Sequence, residues 1–320
     1  MKSEPFSAHP ADNAAFAPRA GFVVAAAGPL LGAVVAQSGL PDKVARAAID
    51  DGAVYVDGRR CRDRNLKLRP GQMIKVLAAA PAARRKIDAG QLHVVHRDER
   101  LLIVAKPAGL PTQPPPRGGD ALSLRVARLL GPQAYVGEVH RLDRDASGLV
   151  AYALDKAAAA RVAAQFRDHS ARRRYLAVVR SQLAVHAQTI DEPIGEIAVG
   201  RMATAANGVP AVTVVRPLAF DAVAGMALLD LQLRTGRSHQ IRVHLAWAVG
   251  PICGDFQYGD RSRPGQLPAK TPRIALHGGA LALQHPEGAH LHWTLPPPPD
   301  FWPSDSALLA ARLPDHWPAA

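Results

Sequence analysis

Between Gly137 and Leu149 the chain reads GEVHRLDRDASGL, crowding His140, Arg141, Asp143, Arg144 and Asp145 into six positions. The stretch runs without a break into Leu149 to Leu154, an apolar run of strand length. No other feature constrains the fold as much. An apolar strand of this kind belongs inside a sheet, so its charged approach has to end at the edge of a core. A carboxylate there is costly unless paired, and arginine, with its planar fork of donors, is the natural partner. Taken alone, the stretch fits either a surface turn with solvated charges or a functional site.

The rest of the composition narrows the class. Over 320 residues, 48% hydrophobic and 21% charged content is that of a folded protein, and the net charge of +12 calls for an acidic partner, most simply nucleic acid. Two cysteines, Cys61 and Cys253, exclude a disulfide framework and a cysteine-based zinc site. His93 and His96, and the group His285, His290 and His292, lack a convincing third ligand, so no metal is expected. No glycine-rich phosphate loop is present. The uncharged run Gly21 to Ala36 falls short of the ~20 residues that span a bilayer. About twenty residues precede it, with Glu4 and Asp12 balancing Lys2 and Arg19, and Gly28-Pro29 breaks it. It reads as a strand or coil turning into a buried helix. The expectation is a soluble, cytoplasmic, monomeric protein without a membrane partner.

Charge is unevenly spread. Residues 27–90 hold 12 Lys plus Arg against 6 Asp plus Glu, half the net charge on a fifth of the chain. Arg59, Arg60, Arg62, Arg64, Lys67 and Arg69 make up most of it. Leu30 to Ser38 and Val44 to Ile49 each suit a short helix. Asp51-Gly52 and Asp57-Gly58 turn the chain on either side of a strand from Ala53 to Val56, and Met73 to Leu77 is another strand. Residues 79–91 read as a basic linker. Further on, Asp155 is placed to cap a helix running to about Asp168, and Leu229, Leu231 and Leu233 alternate with polar residues as a half-buried strand. A helix is expected to begin near Ser238, and the prolines from Pro296 to Pro299 predict an extended end packed on the surface.

Two further stretches accompany the first. RRRYLAV, Arg172 to Val178, feeds three arginines into a strand containing Tyr175, and LRTGRSHQIRVHLAWAVGPICGDFQY runs from Leu233 to Tyr258. Each alone is explained by a solvated strand end or a capped basic helix. Together, HRLDRDASGL, RRRYLAVV and GRSHQIRVHLA, with HRDERLLIVAKPAGLP from His96 and LHGGALALQHP from Leu276, resemble the RluA family of RNA pseudouridine synthases over roughly residues 92 to 312. The order of elements in residues 27–78, with its Gly-x-Val-x-Val-Asp-Gly core, resembles the S-four-type RNA-binding domain.

These resemblances imply an α+β catalytic domain over residues 92–320, with a long mixed, mainly antiparallel sheet and a cleft across its middle. A small S-four-like α/β RNA-binding domain over 27–78 precedes it, after a disordered tail, 1–26. The activity implied is isomerisation of uridines in structured RNA without a cofactor, with large-subunit ribosomal RNA favoured over transfer RNA. A non-catalytic RNA-binding or ribosome-assembly factor is the alternative. By the same resemblance Asp143 is the essential carboxylate, acting as nucleophile or as base, and Arg237 is its salt-bridge partner. Tyr175 stacks on the uracil and helps to remove the proton from carbon 5. Arg141 fills the space left by the extruded nucleotide, Arg144 and Arg242 face substrate phosphates, and Lys106 is either structural or phosphate-facing. Arg59, Arg60, Arg62, Arg64 and Lys67 are the expected RNA-binding residues of the first domain. The segment after Gly109, LPTQPPPRGGD, departs from the short turn of many relatives.

Overall fold

The computed structural model describes residues 22–50, 54–57, 59–61, 63–76, 92–115, 119–181, 184–198, 201–255, 257–259 and 273–303. The chain divides into two compact units, Met1–Arg85 and Lys86–Ala320. The expected tail and the expected linker lie almost wholly outside the described residues.

In the first unit the apolar run resolves into β1 (Phe22–Val23), β2 (Gly28–Pro29) and the start of α1 (Leu30–Ser38), followed by α2 (Asp42–Asp50). Then come β3 (Val54–Val56), β4 (Arg59–Cys61), β5 (Lys67–Leu68) and β6 (Met73–Val76). Pro29 precedes α1 in an extended conformation, and Gly39 ends the helix at φ 64°, a left-handed stop that glycine adopts without strain. A four-stranded sheet in the order β1-β6-β3-β4 and the pair β2-β5 close over Leu30, Val34, Ile49, Val54 and Ile74, all fully buried. The second helix starts earlier than its apolar pattern, because Asp42 supplies a first turn and pairs with Arg46 one turn on.

The second unit is built on one large sheet. In chain order it contains β7 (His93–Arg97), β8 (Leu101–Lys106), α3 (Leu122–Leu130), β9 (Gly137–Glu138), β10 (Ser147–Ala153), α4 (Lys156–Arg167) and β11 (Arg172–Arg180). These are followed by β12 (Gln188–Asp191), β13 (Ile194–Ala198), β14 (Arg201–Thr204), β15 (Val212–Asp221), β16 (Met226–Leu233), α5 (Gln240–Ala248), β17 (Leu276–Gln284) and β18 (His290–Thr294). The sheet has ten strands in the order β12-β15-β16-β11-β17-β10-β8-β7, with β18 added to β17 and β9 to β10. It is mixed but mainly antiparallel, as the resemblance implies: among the described pairings only β10 and β17 run parallel.

Both faces of the middle strands are covered. Leu101, Ile103, Leu149 and Ala151 pack towards α4, around Val162, while Leu102, Val104, Val150 and Tyr152 join the larger core on the opposite face. This is why β8 and β10 read as continuous apolar runs. Asp155 caps α4 as expected, its carboxylate accepting from the Ala158 N–H at 2.9 Å.

Four expectations change in the structure. Strand β16 is buried on both faces from Met226 to Leu231, and its polar member Asp230, only 3% exposed, survives there by pairing with Arg174 of the neighbouring strand. The arginines entering β11 are accordingly not all solvated, since Arg173 also lies over the Phe166 ring. Helix α5 begins at Gln240 rather than Ser238. After the proline run the chain does not stay on the surface: a short 3-10 turn, Pro299–Phe301, drives Phe301 into full burial.

The β10–β17 junction explains two glycine motifs. Gly148 (φ +136°) pairs with Gly278, and a Cβ on Gly148 would lie 2.3 Å from the Gly278 carbonyl oxygen. A Cβ on Gly278 would in turn press on the Tyr175 ring at 3.2 Å. Close approach of two backbones lets the aromatic ring settle beside the charged loop: no side chain fits at Gly148, and one at Gly278 would have to push the Tyr175 ring aside by a few tenths of an ångström.

Candidate active site

The loop between β9 and β10 carries the charge cluster, and four anchors hold it. Thr112 Oγ1 donates to the Leu142 carbonyl (2.7 Å) and accepts from the Leu142 N–H (3.2 Å). His140 Nε2 accepts from the Ala151 N–H at 2.9 Å, and its ring stacks on Phe166 with centroids 4.4 Å apart. Burial pushes the His140 imidazole down to about 3, so it stays neutral and supports the loop. Ser147, the first residue of β10, bonds through its hydroxyl to His277 Nδ1 at 2.8 Å. The fourth anchor, Lys106, lies at the end of β8.

With the loop fixed, Asp143 stands partly exposed, its side chain 19% accessible. Arg242, in the first turn of α5, donates from Nη1 to Asp143 Oδ2 at 3.1 Å. The same guanidinium holds Asp255 bidentately, Nε to Oδ2 at 2.7 Å and Nη2 to Oδ1 at 2.9 Å. Its flat face covers the Tyr258 ring, 4.8 Å from the centroid. Burial alone would lower the Arg242 guanidinium, but Asp255 and Asp143 together outweigh it and hold it above its ordinary value. Tyr175 sits in β11 where that strand's register with β17 shifts, between Arg174 and Leu176. It is 6% exposed, and burial raises its phenol, with the Asp143 charge adding to the effect and Arg173 opposing it.

The turn that delivers Arg242 is set by Gln240, which is 2% exposed. Gln240 Oε1 accepts from the Arg237 N–H at 3.0 Å and from the Thr235 hydroxyl at 2.8 Å, while Nε2 donates to the Val212 carbonyl and Thr213 Oγ1, both at 3.0 Å. His239, just ahead of α5, is forced to φ 57°. Left-handed backbone is unusual for a residue other than glycine and carries strain, about 1–3 kcal/mol.

Several expected site residues stand elsewhere. Arg237 does not reach Asp143: it lies before the helix and donates from Nε to the Pro210 carbonyl at 3.0 Å. The salt bridge belongs to Arg242, which is therefore shut between two carboxylates instead of facing phosphates. Lys106 is 1% exposed, and its ammonium donates to the carbonyls of Pro107 (3.0 Å), Leu110 (2.7 Å) and Arg144 (2.8 Å), so it fastens the loop from beneath and faces no phosphate. Arg144 is exposed but paired bidentately with Asp145. Arg141 is exposed beside the site, where its charge is felt by His239. In the first unit Arg64 pairs with Asp50 and Lys67 is exposed in β5. Arg59 and Arg60 are described by backbone alone, and Arg62 lies outside the described residues. Among the described residues no cluster of His, Cys, Asp or Glu is arranged to hold a metal ion, and no helix is long and apolar enough to cross a membrane.

Burial brings the Lys106 ammonium down to about 7, against the opposing pull of Asp145 and Asp143. Between that value and the ordinary 10.5 of the unfolded chain, unfolding takes up a proton. The lysine's contribution to stability therefore rises with pH across that window, with a slope approaching ~1.4 kcal/mol per pH unit. Chemical unfolding of the wild type and of Lys106→Met at pH 7 and pH 9.5 is expected to show the difference moving in favour of the wild type at the higher pH.

A family model described as RNA pseudouridylate synthase matches residues 100–247, spanning the charged loop, Tyr175 and Arg242. Ribosomal large subunit pseudouridine synthase D of Pseudomonas aeruginosa is 34% identical over 268 residues, covering 79% of this chain and 83% of that protein. The chain belongs to the RluA family of RNA pseudouridine synthases. It is thus an isomerase that moves uracil from an N- to a C-glycosidic link. The protein of the same name from Escherichia coli K12 is 35% identical, covering 78% of this chain and 81% of its own length. Among solved structures, human RNA Pseudouridylate Synthase Domain Containing 4 aligns with a TM-score of 0.55 at 28% identity, covering 65% of this chain and 90% of that one.

Three residues gathered around Asp143 and Arg242 were not assigned a role from sequence: Asp255, His239 and Tyr258. Each lies in the stretch Leu233 to Tyr258, whose length after the GRSHQIR motif was the available signal. The left-handed backbone at His239 and the return of Asp255 beneath Arg242 were not visible there.

Proposed function

We propose that this enzyme isomerises particular uridines of large-subunit ribosomal RNA and that Asp143 is the reacting carboxylate. The observation that carries the reading is the pair Asp143–Arg242, with one face of the carboxylate open and the guanidinium closed off behind it by Asp255. The reaction breaks the bond from ribose to N1, turns the base and rejoins it through C5, so it needs a carboxylate at the sugar and no redox partner. Asp143 supplies that group as nucleophile or as the base that forms a glycal. Tyr175, packed against the loop, offers an aromatic face for the uracil and a phenol for the C5 proton. A paired uridine has to leave its stack to reach the loop, at a cost on the order of a few kcal/mol. Arg141, exposed beside Asp143, suits the space it vacates. The ribosomal substrate is supported by the relatives named for the large subunit. The setting proposed is the cytoplasm.

The first unit is proposed to be an S-four-type module that adds RNA affinity. Deleting residues 1–85 is expected to weaken RNA binding and flatten its salt dependence while leaving the single-turnover rate within a few-fold of wild type. Filter binding at several salt concentrations and a single-turnover assay check this together. The function itself is tested by a transcriptome-wide pseudouridine map of cells lacking the protein. Sites in large-subunit ribosomal RNA should vanish and return with the wild-type gene. Loss confined to transfer RNA would move the substrate there.

A further inference from the structure

The geometry points to His239 as a positioning residue for Asp143: a neutral imidazole whose Nε2–H is presented to the carboxylate oxygen that Arg242 leaves open, with Tyr258 fixing which nitrogen holds the proton. The inference rests on the reading of Asp143 as the reacting carboxylate.

The proton can be followed through the hydrogen bonds. Arg242 is only a donor, and its Nη2 lies 3.3 Å from Gln257 Oε1, which orients that amide. Gln257 Nε2 then donates to the Tyr258 hydroxyl at 3.4 Å, and the Met202 N–H donates to the same oxygen at 3.2 Å. Both lone pairs of the phenol are engaged, so its one proton goes to His239 Nδ1, 2.6 Å away. With Nδ1 accepting, a neutral ring carries its hydrogen on Nε2. Nε2 faces Asp143 Oδ1 at 4.0 Å, beyond hydrogen-bond reach by a margin that a small shift of the loop closes, while Oδ2 is already held by Arg242. The left-handed backbone at His239 aims the ring between Tyr258 and Asp143, which is what its strain obtains.

Burial lowers the His239 imidazole below its ordinary value, with Asp143 opposing. The charged groups facing it are Asp143 and Arg141 from the loop, Arg242 from α5 and Asp255 from the segment after it. The ring is therefore neutral at working pH, and the tautomer decides whether Asp143 meets a donor or a lone pair. Without the Tyr258 hydroxyl the proton is free to sit on Nδ1. A lone pair would then face the carboxylate, unless acid protonates both nitrogens.

The test uses the full chain and RNA from cells lacking the protein, grown on uridine tritiated at C5, so that each isomerisation releases tritium to water. Single-turnover rates are compared from pH 5 to pH 9. His239→Asn keeps a residue that tolerates left-handed backbone but cannot span both partners. It is expected to lose about tenfold in rate with RNA affinity within twofold of wild type. Tyr258→Phe is expected to lag wild type several-fold by a ratio that is level from about pH 6.5 to pH 9, where the ring is neutral, and that shrinks only in more acid solution. The double variant should be no slower than His239→Asn and should lose that pH dependence. A Tyr258→Phe rate within twofold of wild type above pH 6.5, losses that simply multiply in the double variant, or a His239→Asn rate within twofold of wild type would each overturn the inference. Turnover by Asp143→Ala, run alongside, would instead sink the parent reading.

Discussion

Asp143→Asn is expected to abolish pseudouridine formation, a loss of roughly 10⁴-fold or more in single-turnover rate, with RNA affinity and melting temperature close to wild type. The amide matches the carboxylate in shape and can still accept from Arg242 Nη1 through its oxygen, so the loop has no cause to move. Arg242 also keeps Asp255, so its buried charge is not left uncompensated. What the amide cannot do is attack the sugar or take a proton from it. Rate and binding should therefore separate, which a merely structural role for Asp143 would not produce. A variant retaining even one hundredth of wild-type turnover would require another group to do the chemistry.

How far the sequence carried the reading depended on whether a feature was local. The apolar runs of β8 and β10, the Asp155 cap and the charged approach to β10 are contiguous, and each follows from the spacing of side chains along one element. The Asp143 partner is not local. Arg237 and Arg242 lie in one short motif, and choosing between them needs the turn geometry that Gln240 imposes by bonding Arg237, Thr235, Val212 and Thr213 at once. That turn leaves Arg237 outside the helix and brings Arg242 round to the loop. Lys106 stayed open between a structural and a phosphate-facing role for a related reason: a lysine at a strand end looks solvated, and only the fold brings the carbonyls of Leu110 and Arg144 to its ammonium. In β16, alternation suggested one wet face, but Arg174 on the next strand neutralises Asp230 and lets α+β layering cover both sides.

Arg242 is the residue whose loss should cost both turnover and stability. Its Nε and Nη2 hold Asp255, whose side chain is 1% exposed, and its Nη1 holds Asp143. No single ammonium can span two carboxylates in that arrangement, so Arg242→Lys is expected to reduce turnover by about 10²-fold or more. Arg242→Met, which fills the space without charge, leaves the buried Asp255 without its cation, still accepting from the Gln257 and Tyr258 N–H groups. It should destabilise the protein by about 3–5 kcal/mol, read as a lower denaturant midpoint. Adding Asp255→Asn to Arg242→Met removes the stranded charge and should recover part of that stability, yet turnover should stay lost because Asp143 still lacks its partner. Arg237→Lys, by contrast, exchanges one donor to the Pro210 carbonyl for another and should leave turnover within a few-fold of wild type. If Arg237→Lys were the more damaging of the two, the carboxylate would have to find its partner in a conformation reached only with RNA bound.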